Sequence, residues 1–213
     1  HPQKITADHL QATSGPLAND TRPARGAPGN ALEAAGTKGG LLQFTAAGHV
    51  LGFSGDGVLV ASARHMVRID FLNSRAVAPE ADHAVSGESS AGAAQALGRV
   101  TYRNVWDGVT VVYEASGASI VKSTYYVAAT KEGVPVDRIR LGYNRPVRID
   151  EQGNLLIRYE NGTMVEGAPV AWQETEGGRK PVRATYVLHG EREVGFSLGD
   201  YAPGIPVVID PAL

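Results

Sequence analysis

Short apolar runs separated by glycine-containing turns are the feature that most limits how this chain can fold. From Leu41 onward, stretches rich in Val, Ile, Leu, Phe and Tyr alternate with turns such as Ala-Gly, Gly-Asp-Gly and Asn-Gly. In the second half the runs recur about every ten residues, which is typical of antiparallel strands joined by hairpins. With 26 Gly and 12 Pro in 213 residues, turns are favoured over long helices. We therefore predict an all-β fold, an antiparallel β-sandwich that can consist of two packed lobes.

The pattern divides the chain into four segments. Residues 1–38 lack periodicity and predict an extended or partly disordered arm, with a short helix near Leu32–Ala35. Residues 39–75 predict a β-meander, and residues 76–98 predict a loop with a short helix at Ala91–Leu97. Residues 99–213 predict a sandwich lobe. Its predicted strands are Arg99–Val105, Val109–Glu114, Ile120–Ala129, Arg138–Gly142, Val147–Asp150, Leu155–Tyr159, Met164–Glu166, Val170–Glu174, Val182–His189, Val194–Leu198 and Val207–Ile209.

One hairpin stands out because it gathers aromatic residues in a chain with few of them. The stretch "YRNVWDGVTVVYEAS", from Tyr102 to Ser116, has an Asp-Gly turn that suits a two-residue connection. On the second strand, alternation places Val109, Val111 and Tyr113 on one face. Trp106 stands beside the turn, where a contact with an outside molecule is easiest to form.

Charge and residue usage exclude several classes of function. Twenty basic and 22 acidic residues leave a net charge of −2, so nothing favours a nucleic acid or an anionic membrane as partner. The absence of cysteine rules out disulfides, thiolate metal sites and a cysteine nucleophile, and it favours an exported protein. No apolar run reaches the roughly 18 residues of a membrane span. The first residues lack the layout of a signal peptide, so we expect any targeting segment to have been removed.

Histidines and acids form no complete catalytic or metal-binding pattern. His1, His9, His49, His65, His83 and His189 never occur as His-x-His or His-Glu-x-x-His, so we interpret each as an ordinary turn or edge residue. The acids near hairpins are Asp150, Glu151, Glu160, Glu166, Glu174 and Glu176, and we interpret them as solvated. A facing pair of them about 5 to 9 Å apart would suit a glycosidase. Calcium is the one cofactor that the oxygen-rich turns leave open, although no Asp-x-Asp-x-Asp loop is present. The sequence therefore assigns no catalytic, cofactor-binding or metal-binding residue.

The two tryptophans are the candidate contacts for a ligand or partner. Trp106 and Trp172 can serve as flat platforms, for example for a sugar ring, or can belong to the core. Alternation with polar neighbours around Trp172 favours a core position.

The second half also resembles a known family. The segments "VTYRNVWDGVTVVYEAS", "IRLGYNRPVRIDEQGNLLI", "GAPVAWQET" and "VVIDPAL" follow one another as in the uncharacterised domain that precedes seven-bladed β-propeller (SBBP-type) repeats in large exported bacterial proteins. The matching positions are Tyr102, Val105, Trp106, Gly108, Tyr126, Ile139, Leu141, Ile149, Asp150, Gly153, Leu155, Pro169, Trp172, Gln173, Val208, Ile209, Asp210 and Pro211. The resemblance covers about residues 99–213, with a faint match near 30–60. Asp107 stands where the family has proline, and Thr110 where it has aspartate. The resemblance implies export, an all-β fold and a modular surface protein, and it assigns no site.

Two functions follow from these observations. The first is a non-catalytic interaction or assembly module, secreted or at a bacterial cell surface, which binds a protein partner or a larger extracellular assembly through edge strands and the arm. The alternative is a carbohydrate-binding module or a glycan-active enzyme on a β-sandwich scaffold, with Trp106 or Trp172 as its platform.

Overall fold

Nearly every apolar run from Leu42 onward folds as a strand. The computed structural model describes residues 41–82, 95–117 and 119–211, and the elements below belong to those ranges. The strands are β1 (Leu42–Ala46), β2 (His49–Ser54), β3 (Gly57–Ala61), β4 (Met66–Phe71), β5 (Glu80–Ala81), β6 (Gln95–Ala96), β7 (Arg99–Trp106), β8 (Val109–Ser116), β9 (Ser119–Val127), β10 (Leu141–Tyr143), β11 (Val147–Ile149), β12 (Leu155–Tyr159), β13 (Gly162–Glu166), β14 (Val170–Thr175), β15 (Gly178–Val182), β16 (Ala184–Leu188), β17 (Glu193–Leu198) and β18 (Val207–Asp210). A single 3₁₀ turn, Val136–Arg138, is the only helical element in these ranges, and it is too short to cross a membrane.

Two large sheets and one small sheet make up the fold. The eight-stranded sheet has the order β16-β17-β10-β4-β3-β2-β1-β6, and the seven-stranded sheet has the order β15-β14-β18-β9-β8-β7-β5. The small sheet is β11-β12-β13. Every described pair is antiparallel except β1 with β6. The prediction of an antiparallel β-sandwich is confirmed.

The two large sheets meet through aromatic rings. Phe53 of β2 contacts Tyr113 of β8 with ring centroids 5.5 Å apart, and Phe71 of β4 contacts Tyr102 of β7 at 4.9 Å. These residues are buried and belong to one core cluster that also includes Leu155 of the small sheet. Because strand side chains alternate between faces, the intervening residues of the seven-stranded sheet point away from this core.

The hairpin from Tyr102 to Ser116 forms as predicted. β7 and β8 are joined by Asp107 and Gly108, and Gly108 adopts a φ of +77°, which glycine reaches without strain. Val109 and Tyr113 point together into the core. A bulge in β7 between Tyr102 and Trp106 was not predicted.

The predicted segments relate to the sheets in different ways. Strands from 39–75 and from 99–213 share the eight-stranded sheet, where β4 pairs with β10. The predicted arm, 1–38, lies outside the described residues. Within the predicted helix at 91–97, residues 95–96 form strand β6, and residues 91–94 also lie outside the described ranges.

Two predicted strands differ most from the structure. The predicted strand Arg138–Gly142 begins only at Leu141, because Pro135 opens a 3₁₀ turn that occupies the preceding residues. The predicted strand Val182–His189 is broken at Arg183, where the chain leaves the seven-stranded sheet and enters the eight-stranded one. The break at Arg183 is not visible in the apolar pattern, because it follows from which sheet each half of the segment joins.

Candidate functional site

Trp172 lies on the outward face of the seven-stranded sheet. Its neighbours along β14, Ala171 and Gln173, are buried in the core, so alternation turns the indole to the other side. The ring is half-buried because it lies among side chains of adjacent strands. The interpretation of Trp172 as a core residue is therefore wrong.

A row of side chains crosses four strands at the level of Trp172. Pro181 pairs with Trp172, Trp172 pairs with Val208, and Val208 pairs with Tyr126. Tyr126 is 49% exposed, and Val170, one step along β14 on the same face, is 62% exposed. We call these five residues the outer aromatic patch. At a strand spacing of about 4.8 Å the row extends about 14 Å across the sheet.

Two charged residues hold the Trp172 ring in place. Its indole N–H donates to Glu174 Oε1 at 2.9 Å, and the Arg179 guanidinium carbon lies 4.3 Å from the ring centroid. Arg179 Nε donates to the same Glu174 oxygen at 3.0 Å. The guanidinium therefore covers one face of the indole, and the ring is fixed before any partner binds.

Trp106 occupies a different environment. It is only 3% exposed, its ring packs edge-on against Phe71, and its indole N–H donates to Leu72 O at 2.8 Å. A ligand contact at Trp106 stays a prediction, and only the small exposed edge of its ring could make that contact.

A polar cleft of about 390 Å³ lies beside the exposed edge of Trp106. Most of its charged side chains are engaged: Arg75 pairs with Asp107, Arg140 pairs with Glu193 at 2.8 Å, and Arg138 donates to the Asp107 carbonyl. Because these charges already have partners, the cleft offers a ligand few groups that are not engaged.

Glu166 does not fit the interpretation of the hairpin acids as solvated. It is 5% exposed at the end of β13, and the hydroxyl of Tyr143 donates to its Oε2 at 3.1 Å. The hydroxyl of Tyr186 donates to Gly167 O at 2.9 Å and also lies in hydrogen-bond contact with the Glu166 carboxyl. Burial raises the pKa of Glu166 to about 7, although these hydroxyls oppose the rise.

The surroundings of Glu166 are closed. A void of about 10 Å³ beside it is lined mainly by apolar and tyrosine side chains, with Ser123 among them, and is about the size that one water molecule needs. Burial also raises the pKa of Tyr113, Tyr125, Tyr143 and Tyr186, so these phenols stay protonated. A carboxyl buried in this way affects the stability of the fold through its ionisation.

The other acids near hairpins have ordinary positions. Glu151, Glu160, Glu174 and Glu176 are exposed, as predicted. Asp150 organises the turn before β12, where its Oδ1 accepts the N–H groups of Gln152 and Asn154 at 2.9 Å each.

A pair of histidines that the sequence spacing does not reveal meets at the surface. His49, at the start of β2, and His65, just before β4, have their Nε2 atoms 3.2 Å apart. The His65 ring stacks on Tyr159 at 4.5 Å. Burial, and secondarily the charge of His49, lower the pKa of His65. Both histidines lie beside turns at strand ends, as predicted, but their spacing in the sequence did not indicate that their rings contact each other.

Both imidazoles line an open groove of about 630 Å³. Its other walls include Tyr159, Met164 and the half-exposed Val165 of β13, together with Ile120 of β9. β13 pairs with β12 on one side and ends the small sheet on the other.

Several residues that carry the family resemblance have structural roles here. The Gln173 amide is fully buried, donates to Ala202 O and Ile205 O, and accepts the N–H of Ala202, so it holds the loop before β18. The Tyr102 hydroxyl donates to Gly57 O at 3.2 Å across the two large sheets. These two residues of the resembling segments are therefore needed to hold the fold together.

The fold and surface define the class of the chain, an all-β antiparallel sandwich with a partly apolar outward face. The chain belongs to the family described as a domain of unknown function, DUF7948, whose model matches residues 59–212. The match begins within β3 and ends after β18, so it includes strands of both large sheets. Comparison with curated proteins and with solved structures finds no match. The link to propeller repeats and to export stays a prediction.

Proposed function

We propose that this chain is a non-catalytic interaction module of an exported bacterial protein, and that it binds a protein partner through the outer aromatic patch. The observation that carries the proposal is the kind of residue found at outward positions of the seven-stranded sheet. A sheet packed on one side normally carries polar residues on the other. Here Trp172, Tyr126 and Val170 occupy outward positions, and they form one continuous group with Val208 and Pro181.

The residue types favour a protein as the partner. Trp, Tyr and Arg are the side chains most enriched at the energetic centres of protein interfaces, and Trp172, Tyr126 and Arg179 supply all three. The indole is already fixed by Glu174 and Arg179, so little side-chain entropy is lost on binding.

The same arrangement is less suitable for a sugar. A sugar ring stacks on an open aromatic face, and the Arg179 guanidinium lies over Trp172 at 4.3 Å. A carbohydrate that stacked on this face would have to displace the cation and break its contact with Glu174. Carbohydrate binding is therefore the second outcome that the experiment must detect.

The size of the patch indicates its part in the interface. A stable protein interface buries about 800 Å² on each partner, and a row about 14 Å long supplies only part of that area. The patch thus forms the apolar centre, and polar residues of neighbouring strands form the rim. On the rim, Lys122 and Asp210 make an ion pair of 2.8 Å.

Export is supported by the absence of cysteine and by the resemblance to a domain of exported proteins. Fractionation of the source bacterium tests this part, since detection of the mature chain only in the cytosol would contradict it.

The binding proposal is tested by site-specific photocrosslinking in the producing cells. A photoreactive residue at position 126 should capture one protein, whereas the same residue at Ile149, an exposed apolar position on β11, should not. The captured protein is then purified, and its affinity for the chain is measured. Trp172→Ala should weaken binding by about 30-fold or more, the loss typical of an interface centre. Ile149→Ala should leave the affinity unchanged.

Two results would overturn the proposal. One is equal affinity of the captured protein for wild type and Trp172→Ala. The other is binding to a glycan array that Trp172→Ala abolishes, with no protein captured from position 126, and this result would establish the carbohydrate alternative.

A further inference from the structure

The facing imidazoles of His49 and His65 form the most specific arrangement of ligating atoms outside the outer aromatic patch. They come from opposite sides of strand β3, one at the start of β2 and the other at the end of the turn Ser62–His65. That turn is closed by the N–H of Ser62, which donates to His65 O at 2.8 Å. We propose that His49 and His65 together bind a divalent late first-row transition-metal ion such as Zn²⁺.

The outer nitrogens of both rings are engaged in the way that metal-binding histidines require. His49 Nδ1 lies 3.0 Å from Ala47 O. A carbonyl only accepts hydrogen bonds, so Nδ1 carries the proton, and Nε2 of a neutral His49 presents a lone pair. His65 Nδ1 lies 3.1 Å from Ser62 Oγ, a hydroxyl that can accept its proton in the same way. An outer N–H donated to oxygen is the usual support of a metal-bound imidazole.

The distance between the two Nε2 atoms fits a shared ion. With metal–nitrogen bonds of about 2.05 Å, atoms 3.2 Å apart meet at a metal with an angle of about 100°, close to tetrahedral. The two rings then have centroids about 5.0 Å apart, whereas a collinear N–H···N hydrogen bond of equal length would separate them by about 5.5 Å. The observed centroid distance is 5.1 Å, with the ring planes tilted by 50°. The rings thus converge on a point beside the line between the two nitrogens.

The surroundings hold the site and leave it accessible. Stacking on Tyr159 fixes the orientation of the His65 ring, and the open groove gives an ion a path from solvent. Ser119 Oγ, which lines the same groove, has no hydrogen-bond partner within the described part of the chain.

The donor set points to the class of ion. Imidazole nitrogen suits Zn²⁺, Cu²⁺ and Ni²⁺, whereas Ca²⁺ and Mg²⁺ require oxygen ligands. In the described ranges no third His, Asp or Glu joins the pair to make a group of three. Two positions of a tetrahedral ion would therefore be left for water or for a donor from another molecule.

The proposal is tested with Zn²⁺ and the full chain. Zn²⁺ should bind by isothermal titration calorimetry, raise the Tm, and move the Nε2 resonances of both His49 and His65 in ¹⁵N spectra of the imidazoles. His49→Gln and His65→Gln should each weaken binding by at least about 100-fold, the upper end of what loss of a supporting group alone costs. His189→Gln is the matched control and should bind Zn²⁺ like wild type.

The controls separate a specific site from unspecific attachment of Zn²⁺ to the protein surface. Circular dichroism without metal should show that both variants are folded, which is expected because the two imidazoles lie at the surface. Ca²⁺ at the same concentration should leave the Nε2 resonances unchanged. The proposal is overturned if Zn²⁺ does not bind, if both variants bind it like wild type, or if the Nε2 resonances of this pair do not move. The last result would mean that the pair is a hydrogen bond only.

Discussion

Replacing the buried Glu166 by glutamine should remove a pH dependence of stability that wild type displays. The substitution keeps the size of the side chain and an oxygen that can accept from the Tyr143 hydroxyl, but it cannot ionise. Any difference in pH dependence between the two proteins therefore reports the ionisation of this one carboxyl.

The magnitude follows from the rise in pKa. Burial raises the pKa of Glu166 from 4.5 to about 7, which corresponds to about 3 kcal/mol between the two protonation states. Below pH 4.5 the carboxyl is protonated in both the folded and the unfolded chain, so it has no effect on the free energy of unfolding. Between pH 4.5 and 7 the folded chain keeps a proton that the unfolded chain loses. The free energy of unfolding should therefore fall by about 3 kcal/mol as pH rises through this window, and then stay level.

Urea unfolding of wild type and Glu166→Gln at several pH values from 4.5 to 8.5 measures the effect. The two proteins should be similar at pH 4.5, and the variant should be more stable above pH 7 by about 3 kcal/mol. His65 contributes with the opposite sign, because its lowered pKa makes the free energy of unfolding rise with pH below the ordinary histidine pKa. This contribution is common to both proteins and cancels in their difference. Glu151→Gln, at an exposed turn position, serves as control and should follow wild type throughout.

The reasoning is refuted if the stability curves of wild type and Glu166→Gln run parallel from pH 4.5 to 8.5. Such a result would mean that the carboxyl ionises in the folded chain as it does in water.

Three further substitutions test features of the fold by urea unfolding. Gly57→Ala should lower the free energy of unfolding by more than about 2 kcal/mol, because the new Cβ would lie 2.4 Å from a backbone carbonyl oxygen of β4. Gly98→Ala is the control and should change it by less than about 0.5 kcal/mol, because no atom lies within 4 Å of the new Cβ. Gln173→Met should lower the free energy of unfolding by at least about 3 kcal/mol, because it leaves two carbonyls and one N–H without their side-chain partner. An equally large loss for Gln152→Met, at an exposed position, would contradict this account. Asn104 has a φ of +52° in the β7 bulge, and its side-chain oxygen accepts the N–H of Gly108 in the turn. Asn104→Gly should therefore lower the free energy of unfolding by about 1 kcal/mol less than Asn104→Ala does, because glycine adopts a positive φ without strain. The reverse order would show that the bulge is not strained.

The strands were predictable because their signal is local. Alternation and turn residues identify the β7–β8 hairpin within 15 residues of sequence, without knowledge of the rest of the chain. The break at Arg183 was not predictable in this way, since it depends on two different sheets meeting at that residue.

The candidate sites depend on long-range placement, and the sequence therefore predicted them less well. Glu166 has the same local pattern as the solvated acids, and it is buried only because tyrosines from distant strands surround it. The histidine pair had a detectable signal in the strand register. Val50 pairs with Ala61, and Ala61 pairs with Met66, so His49 and His65 each precede a residue of one cross-strand row. Tracing register across two hairpins would have brought them together.

The position of β18 also determines when the molecule can fold. This strand comes last in the described chain, yet it lies inside the seven-stranded sheet between β14 and β9. Until it is present, β9 and β14 have unpaired edges where the centre of the sheet should be. A growing polypeptide therefore cannot complete this sheet during synthesis before residue 210 has left the ribosome. Late closure of this kind requires pairing between segments far apart in sequence, which slows folding and leaves strand edges open to wrong partners in the meantime.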